Sequence, residues 1–288
     1  MNEFVSFIDF GSKNLRLGIF DNNSKCIYSS KIKITKEIES QNSENSLTKL
    51  IRDAEKYLSK HLVEVNVLYD SSDFNLIDLS IKKSFDQPTL LKKQYDDLLD
   101  EAKFIISENN FKDQIIHILV NNIIVDDNKI EKISNEIKIK SLIVELKFLC
   151  LKKSIINNLS NIFKKNNLII SNIYCSSYVK SNIYKNNFTN KNNVIFLDIG
   201  FKQTTAIIYN KNKLEFFNSI PFGGKTITND IAKVLKLNFD YSEDLKIKFN
   251  QDENEKSLNK NILSNTNPYI EIYKKKISLN LLKKIIES

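Results

Sequence analysis

The sequence predicts an α/β fold: two related half-domains, the first interrupted by a small α+β insertion. Three observations lead there. The stretch Val5-Ser-Phe-Ile-Asp9-Phe-Gly11 returns as Val194-Ile-Phe-Leu-Asp198-Ile-Gly200, an apolar run ending both times in an acid and a glycine. The copies stay in step, since Phe20 and Tyr209 each close an apolar run nine residues past the glycine. A polar turn and another strand-like run then complete each copy, Cys26 to Ile34 in one and Lys213 to Ile220 in the other. A spacing of about 190 residues is far too long for a solenoid repeat and marks duplicated half-domains.

In chain order, Phe4 to Phe10, Asn14 to Phe20 and Cys26 to Ile34 are expected as strands of a meander. Leu47, Leu50, Ile51, Ala54, Tyr57 and Leu58 recur at helical spacing, with Ser46 placed to cap the helix. Val63 to Tyr69 reads as a buried strand. Residues 71–151 then break in. They hold an extended run over Phe74 to Ile81 and a helix opened by Pro88, with Leu91, Tyr95, Leu98, Ala102 and Ile105 inward. A strand over Ile115 to Ile124 follows, and one over Leu142 to Leu151 that alternates cleanly. Ser154 to Asn166 is a helix returning the chain to the first half-domain.

Lys180 to Asn193 reads as a basic, asparagine-rich connector. Thr228 to Leu235 is a short helix, and Asn250 to Pro268 a polar loop of low complexity. Tyr269 to Ser288 is expected as an amphipathic helix, with Ile270, Tyr273, Ile277, Leu281 and Ile285 along one side. The domains that follow are 1–70 plus 152–190, 71–151 and 191–288.

The acid-glycine turns carry the chemistry. A carboxylate at a strand end can hold Mg²⁺ through its waters. A glycine just after it lets backbone N–H groups approach a phosphate closely. One such turn is ordinary turn composition; two in register, each between a buried strand and a meander, point to a polyphosphate.

Composition narrows the class. A chain of 288 residues with 41% hydrophobic residues can bury proper cores. Forty-three basic residues against 35 acids give a formal charge of +8, which favours acidic partners. The lysines are scattered and no recognition motif accompanies them, so nucleic acid is not expected as a partner. Cys26, Cys150 and Cys175 show no paired spacing, which fits a reducing cytoplasm. His61 and His117 each lack a nearby second ligand, which argues against structural zinc and a Ser-His-Asp triad. The N-terminus has no signal pattern, and no apolar run approaches the roughly 20 residues needed to span a bilayer.

Past the second turn stand Ile220-Pro-Phe-Gly223-Gly224-Lys-Thr-Ile-Thr228-Asn-Asp230-Ile231-Ala232 and Ser242-Glu243-Asp244-Leu245-Lys246. With Asp198-Ile-Gly200 before them, they resemble the actin-like ATPase superfamily and, within it, the cell-division protein FtsA family. Residues 191–249 follow that family's pattern in order and spacing, and residues 5–20 match its first turn. The resemblance implies an actin-like fold of ribonuclease-H-like half-domains, with the small α+β subdomain inserted where residues 71–151 lie. It also implies an incomplete second half, because the family's later glycine-rich adenosine motif is missing from the sequence.

The resemblance further implies ATP and Mg²⁺ as ligands. Asp9, Gly11, Ser12 and Lys13 would form the first phosphate turn. Asp198 and Gly200, with Lys202, Gln203 and Thr204, would form the second, and Asp9 and Asp198 would hold the metal. Gly223 and Gly224 would turn the N-terminus of the next helix towards an anion, and Glu243 and Lys246 would contact ribose and adenine. The second turn departs from the family, which has two further glycines and a threonine where Phe201, Lys202 and Gln203 stand. Added side chains there crowd the phosphate approach, which weighs against nucleotide binding at this turn, and the missing adenosine motif argues against hydrolysis.

The function so implied is that of an FtsA-like protein tethering the FtsZ ring to the cytoplasmic face of the inner membrane. FtsZ and other divisome proteins would be its partners; self-association and peripheral membrane contact would accompany them. Two other readings stand beside it: a PilM-like pilus-assembly protein, and a sugar or acid kinase of the same superfamily. Thr228-Asn-Asp230-Ile-Ala and the Glu243/Lys246 pair favour FtsA over PilM. The lack of a candidate base or sugar-binding stretch weighs against a kinase.

Overall fold

The computed structural model describes residues 4–34, 41–188, 191–258, 269–272 and 275–287. They divide into two compact units, one of residues 1–198 and 205–220, the other of residues 199–204 and 221–288.

In the first unit, β1 (Phe4–Phe10), β2 (Asn14–Asp21) and β3 (Cys26–Lys33) form an antiparallel meander. Helix α1 (Gln41–Leu58) follows, and β4 (Glu64–Tyr69) then lies parallel to β1, Asp9 opposite Leu68 and Phe10 opposite Tyr69. The sheet order is β3-β2-β1-β4-β9, with β9 (Ile169–Cys175) parallel to β4. Alternation in β1 and β2 sends Ile8, Phe10, Leu15, Leu17 and Ile19 inward, against Leu47, Leu50 and Ala54 of α1. Helix α3 (Lys153–Lys164) adds Leu159 and Phe163 to the same core.

The insertion is an antiparallel sheet in the order β5-β8-β6-β7, made of β5 (Asn75–Leu90), β6 (Asp113–Val125), β7 (Asn128–Ile130) and β8 (Lys138–Lys152). Helix α2 (Leu91–Asn109) packs on it through Leu91, Tyr95, Leu98, Ala102 and Ile106. Pro88 does not open this helix. It lies in the irregular stretch of β5 between Ser84 and Thr89, where the ladder with β8 is interrupted and a missing N–H costs nothing.

A third sheet joins β10 (Asn193–Ile199), β11 (Thr204–Asn210) and β12 (Lys213–Ile220). Ile207, Tyr209, Leu214 and Phe217 share a core with Phe74, Leu149, Leu151 and Cys175. Residues 205–220, with β11 and β12, thus cluster with the first unit.

The second unit packs α5 (Gly224–Leu235), α6 (Phe239–Leu258) and α7 (Leu279–Glu287). Two corrections to the sequence reading fall here. Helix α6 runs through Leu258, so the expected loop is partly helical; residues 259–268 of that loop lie outside the described residues. The tail opens as a hairpin, β13 (Tyr269–Ile272) with β14 (Lys275–Ser278), and only then becomes helix. Tyr-Ile-Glu-Ile alternates with the period of a strand, which puts Ile270 opposite Ile277. Ile277, Leu282 and Ile285 are buried with Ile231 and Leu245, whereas Leu281 is exposed.

The tight corners use left-handed backbone without glycine. Asp126 and Asp127 turn β6 into β7, Lys211 and Asn212 turn β11 into β12, and Lys236 ends α5, all at positive φ.

Candidate functional site

Helix α4 (Ser176–Lys185) runs into the stretch read from sequence as a connector, Lys180 to Asn193, and its first turns meet Asp70 and Asp198. The Cys175 N–H donates to His117 Nε2 at 3.0 Å, and the Ser177 N–H to Asp70 Oδ1 at 2.9 Å. Distant side chains thus satisfy amides that a helix start leaves open. The Ser177 hydroxyl lies 2.8 Å from Asp70 Oδ1 and 3.0 Å from Asp198 Oδ2. Lys180, one turn further on the same helix face, donates to that same Asp198 oxygen at 3.0 Å. Asp9, near the end of β1, is paired across the meander with Arg16 at 2.6 Å. Asp9 and Arg16 also line a groove of about 530 Å³ over β1–β3, with Phe7, Phe20 and Leu68.

The electrostatics follow from burial. Desolvation raises the Asp70 pKa above the usual carboxylate value, further than the bonds from Ser177 lower it. Burial alone would lower the Lys180 pKa, but the bond and charge of Asp198, then the charges of Asp70 and Asp9, outweigh it. The net shift is upward, so Lys180 is an ammonium at neutral pH. Burial lowers His117 to about 4, so its ring is neutral and its Nε2 free to accept from Cys175. The Cys175 thiol is pushed well up by burial and by Asp70 and is inert as a nucleophile.

Both expected turns are tight. A Cβ on Gly11 would meet the Asn14 carbonyl oxygen at 2.9 Å, and one on Gly200 the Gln203 carbonyl oxygen at the same distance. Ser12 and Lys13 form the link into β2, and the Lys13 carbonyl accepts from the Ile34 N–H at 2.8 Å.

In the second unit, residues 199–204 lie against the entry of α5. The amides expected to face an anion are engaged: Gly224 N–H donates to Gly200 O at 3.0 Å and Lys225 N–H to Phe201 O at 2.7 Å. Thr204 Oγ1 donates to Phe222 O at 2.7 Å. Glu243 is 4% exposed and accepts from Thr228 Oγ1 and, at 2.7 Å, from Lys246 Nζ. Lys246 also donates to Gly224 O and Thr228 Oγ1, each at 2.8 Å, which occupies all three of its protons. Burial lowers the Lys246 pKa, against the pull of the neighbouring carboxylate. The ammonium sits 5.5 Å from the Phe201 ring centre, and Phe201 meets Phe239 edge-on. Lys202 and Gln203 complete the turn; Gln203 Nε2 is buried with no acceptor among the described residues.

The expected residues therefore fall into two sets. Asp9, Gly11, Ser12, Lys13 and Asp198 belong to the first unit; Gly200, Lys202, Gln203, Thr204, Gly223, Gly224, Glu243 and Lys246 belong to the second. Sequence reasoning missed Asp70, Ser177 and Lys180. The signal for Asp70 was present: like Asp9 and Asp198 it is an acid at the end of an apolar strand. As holders of Mg²⁺, Asp9 and Asp198 are a poor fit, because each is already paired with a side-chain cation.

Comparison with known proteins bears on the family likeness and the fold. Residues 195–285 match the family described as "Cell division protein FtsA". Cell division protein FtsA of Helicobacter pylori (strain ATCC 700392 / 26695) is 30% identical over 98 residues, 34% of this chain and 20% of that protein. Its counterpart in Buchnera aphidicola subsp. Baizongia pistaciae is 41% identical over 56 residues, 19% of this chain and 13% of that protein. The chain thus spans about a fifth or less of the curated relatives it matches. A structure titled "PilM-PilN type IV pilus biogenesis complex" superposes with a TM-score of 0.59, covering 88% of this chain and 72% of that one. At 11% identity it reports on the fold alone. Sequence and architecture together make this chain a divergent, FtsA-like protein with the actin-like ATPase fold.

Proposed function

We propose that this chain works in cell division as an FtsA-like, nucleotide-binding actin homologue that helps attach FtsZ to the cytoplasmic face of the inner membrane. The observation that carries the reading is the family match over residues 195–285, which contains Gly200, Gly223-Gly224 and the Glu243/Lys246 helix in one stretch. No helix among the described residues is long and apolar enough to cross a membrane. In this reading, membrane contact is peripheral.

The nucleotide part of the proposal draws on the orphaned Gln203 amide. A buried N–H₂ without an acceptor costs free energy, and an oxygen of a bound polyphosphate would remove that cost. The lysine and guanidinium already seated on the strand-end carboxylates favour binding over hydrolysis as the retained activity.

The test is direct. The purified chain should sediment with FtsZ polymers above its own background, and a fluorescent fusion should sit at the division site. A chain that ignores FtsZ polymers and shows no mid-cell enrichment would refute the division role. For the nucleotide, ATP should raise the melting temperature in proportion to RT ln(1 + [L]/Kd). No rise at millimolar ATP would remove that part alone.

A further inference from the structure

We propose that Lys180 is a tethered cation standing where a divalent metal would neutralise the carboxylates at the strand ends of the first unit, so that this cluster takes no metal ion. The inference rests on the geometry of that unit and does not need the division reading.

Three acids end three strands here: Asp9 in β1, Asp70 just after β4 and Asp198 in β10. Asp70 and Asp198 face one serine hydroxyl, and like charges so close raise each other's pKa unless a cation lies beside them. A single serine hydroxyl lies between two of them, 2.8 Å from Asp70 and 3.0 Å from Asp198, and has one proton for both. Given to Asp70 Oδ1, which also accepts the Ser177 amide, that proton leaves Asp198 Oδ2 unsatisfied. The Lys180 ammonium supplies what is missing, at 3.0 Å from that same oxygen. The third acid has its own cation, since the Arg16 guanidinium lies 2.6 Å from Asp9.

The lysine is placed rather than incidental. Ser177 and Lys180 project from one face of α4, a turn apart. That helix is fixed at its start by His117 and Asp70, and further along by Ser181, whose hydroxyl lies 2.7 Å from the Tyr209 hydroxyl. Mg²⁺ demands an octahedral oxygen shell at short range and gives up its waters reluctantly. To enter, it would have to expel an ammonium bonded to the ligand it needs, or sit beside it as a like charge.

Mn²⁺ alone, followed by its electron paramagnetic resonance signal and by calorimetry on the full chain, tests this. The native chain should show no saturable site at millimolar Mn²⁺. Lys180→Met should bind one ion, tighter by about tenfold or more, the scale on which one adjacent charge moves an ionic equilibrium. Lys180→Arg should stay metal-free, and adding Asp198→Asn to Lys180→Met should abolish the new site. Should Lys180→Met fold poorly, Lys180→Gln replaces it, and recovery of its melting transition by Mn²⁺ counts as support. The proposal is overturned if the native chain binds Mn²⁺ through Asp198. It is equally overturned if folded Lys180→Met or Lys180→Gln binds no more metal than the native chain, or if these variants fold poorly and Mn²⁺ does not rescue them.

Discussion

Gly223 lies so close to Gly200 that a Cβ on it would sit 2.5 Å from the Gly200 carbonyl oxygen, 2.8 Å from that of Phe201 and 3.0 Å from the Gln203 nitrogen. All three are backbone atoms and cannot swing aside. Gly223→Ala should therefore destabilise the protein by about 1–3 kcal/mol, the usual cost of overpacking. At Gly224 the nearest atom, at 3.3 Å, is the mobile end of Lys246. Gly224→Ala should stay within about 1 kcal/mol of the native chain, helped by alanine's better helix propensity. Urea denaturation of both variants tests the contrast; equal costs would refute it.

Glu243 and Lys246 behave as a clamp between α5 and α6. Removing the cation alone, in Lys246→Met, leaves a buried carboxylate and should cost about 3 kcal/mol. Glu243→Gln combined with Lys246→Met should recover a good part of that loss. The coupling free energy from the four-chain cycle is the measurement, and additive losses would show that the pair does not act as a unit.

Phe201 stands where the family's pattern has glycine, and it packs on Phe239 beneath Lys246. Phe201→Gly should lower stability by about 2 kcal/mol through lost packing and added chain entropy. Crowding of the phosphate approach, the expectation from sequence, predicts instead a gain in ATP affinity. Melting curves with and without ATP separate the two outcomes.

Acid should weaken the first unit through His117. Its pKa is about 4 folded and 6.5 unfolded, so the unfolded chain takes up the proton first as pH falls. Stability is full above pH 6.5 and declines towards pH 4, by at most about 3 kcal/mol. Asp70 acts with the opposite sign, because its raised pKa favours the protonated folded form near the ordinary carboxylate range. His117→Gln, whose amide oxygen can still accept from Cys175, should flatten the decline between pH 6.5 and 5. An unchanged profile would assign the acid sensitivity elsewhere.

The sequence revealed most where side-chain period and environment agree. Val144, Leu146, Phe148 and Cys150 alternate into one core, and β8 lies where their pattern puts it. The strand-end acids were visible for the same reason, as polar stops on apolar runs. What surrounds them was not. Lys180 falls in an asparagine- and lysine-rich stretch whose composition suggests a linker, and only the parallel packing of β4 and β9 brings α4 against Asp70. Likewise, nothing local distinguishes Glu243 and Lys246 as a surface pair from the buried clamp they form. In the tail, Ile277 and Ile285 fit helical spacing as well as they fit a strand followed by a helix, and pairing between β13 and β14 decides it.

Five glycines serve 288 residues, and none has positive φ. Serine, lysine, asparagine and aspartate carry the left-handed corners instead, each holding a Cβ against its own backbone. Lys236→Gly at the end of α5 should raise stability by about 1 kcal/mol. Lys211→Asn with Asn212→Gly would give β11 and β12 the preferred two-residue hairpin turn. The same topology should therefore melt at a higher temperature once glycine stands at those corners, with no change to its architecture.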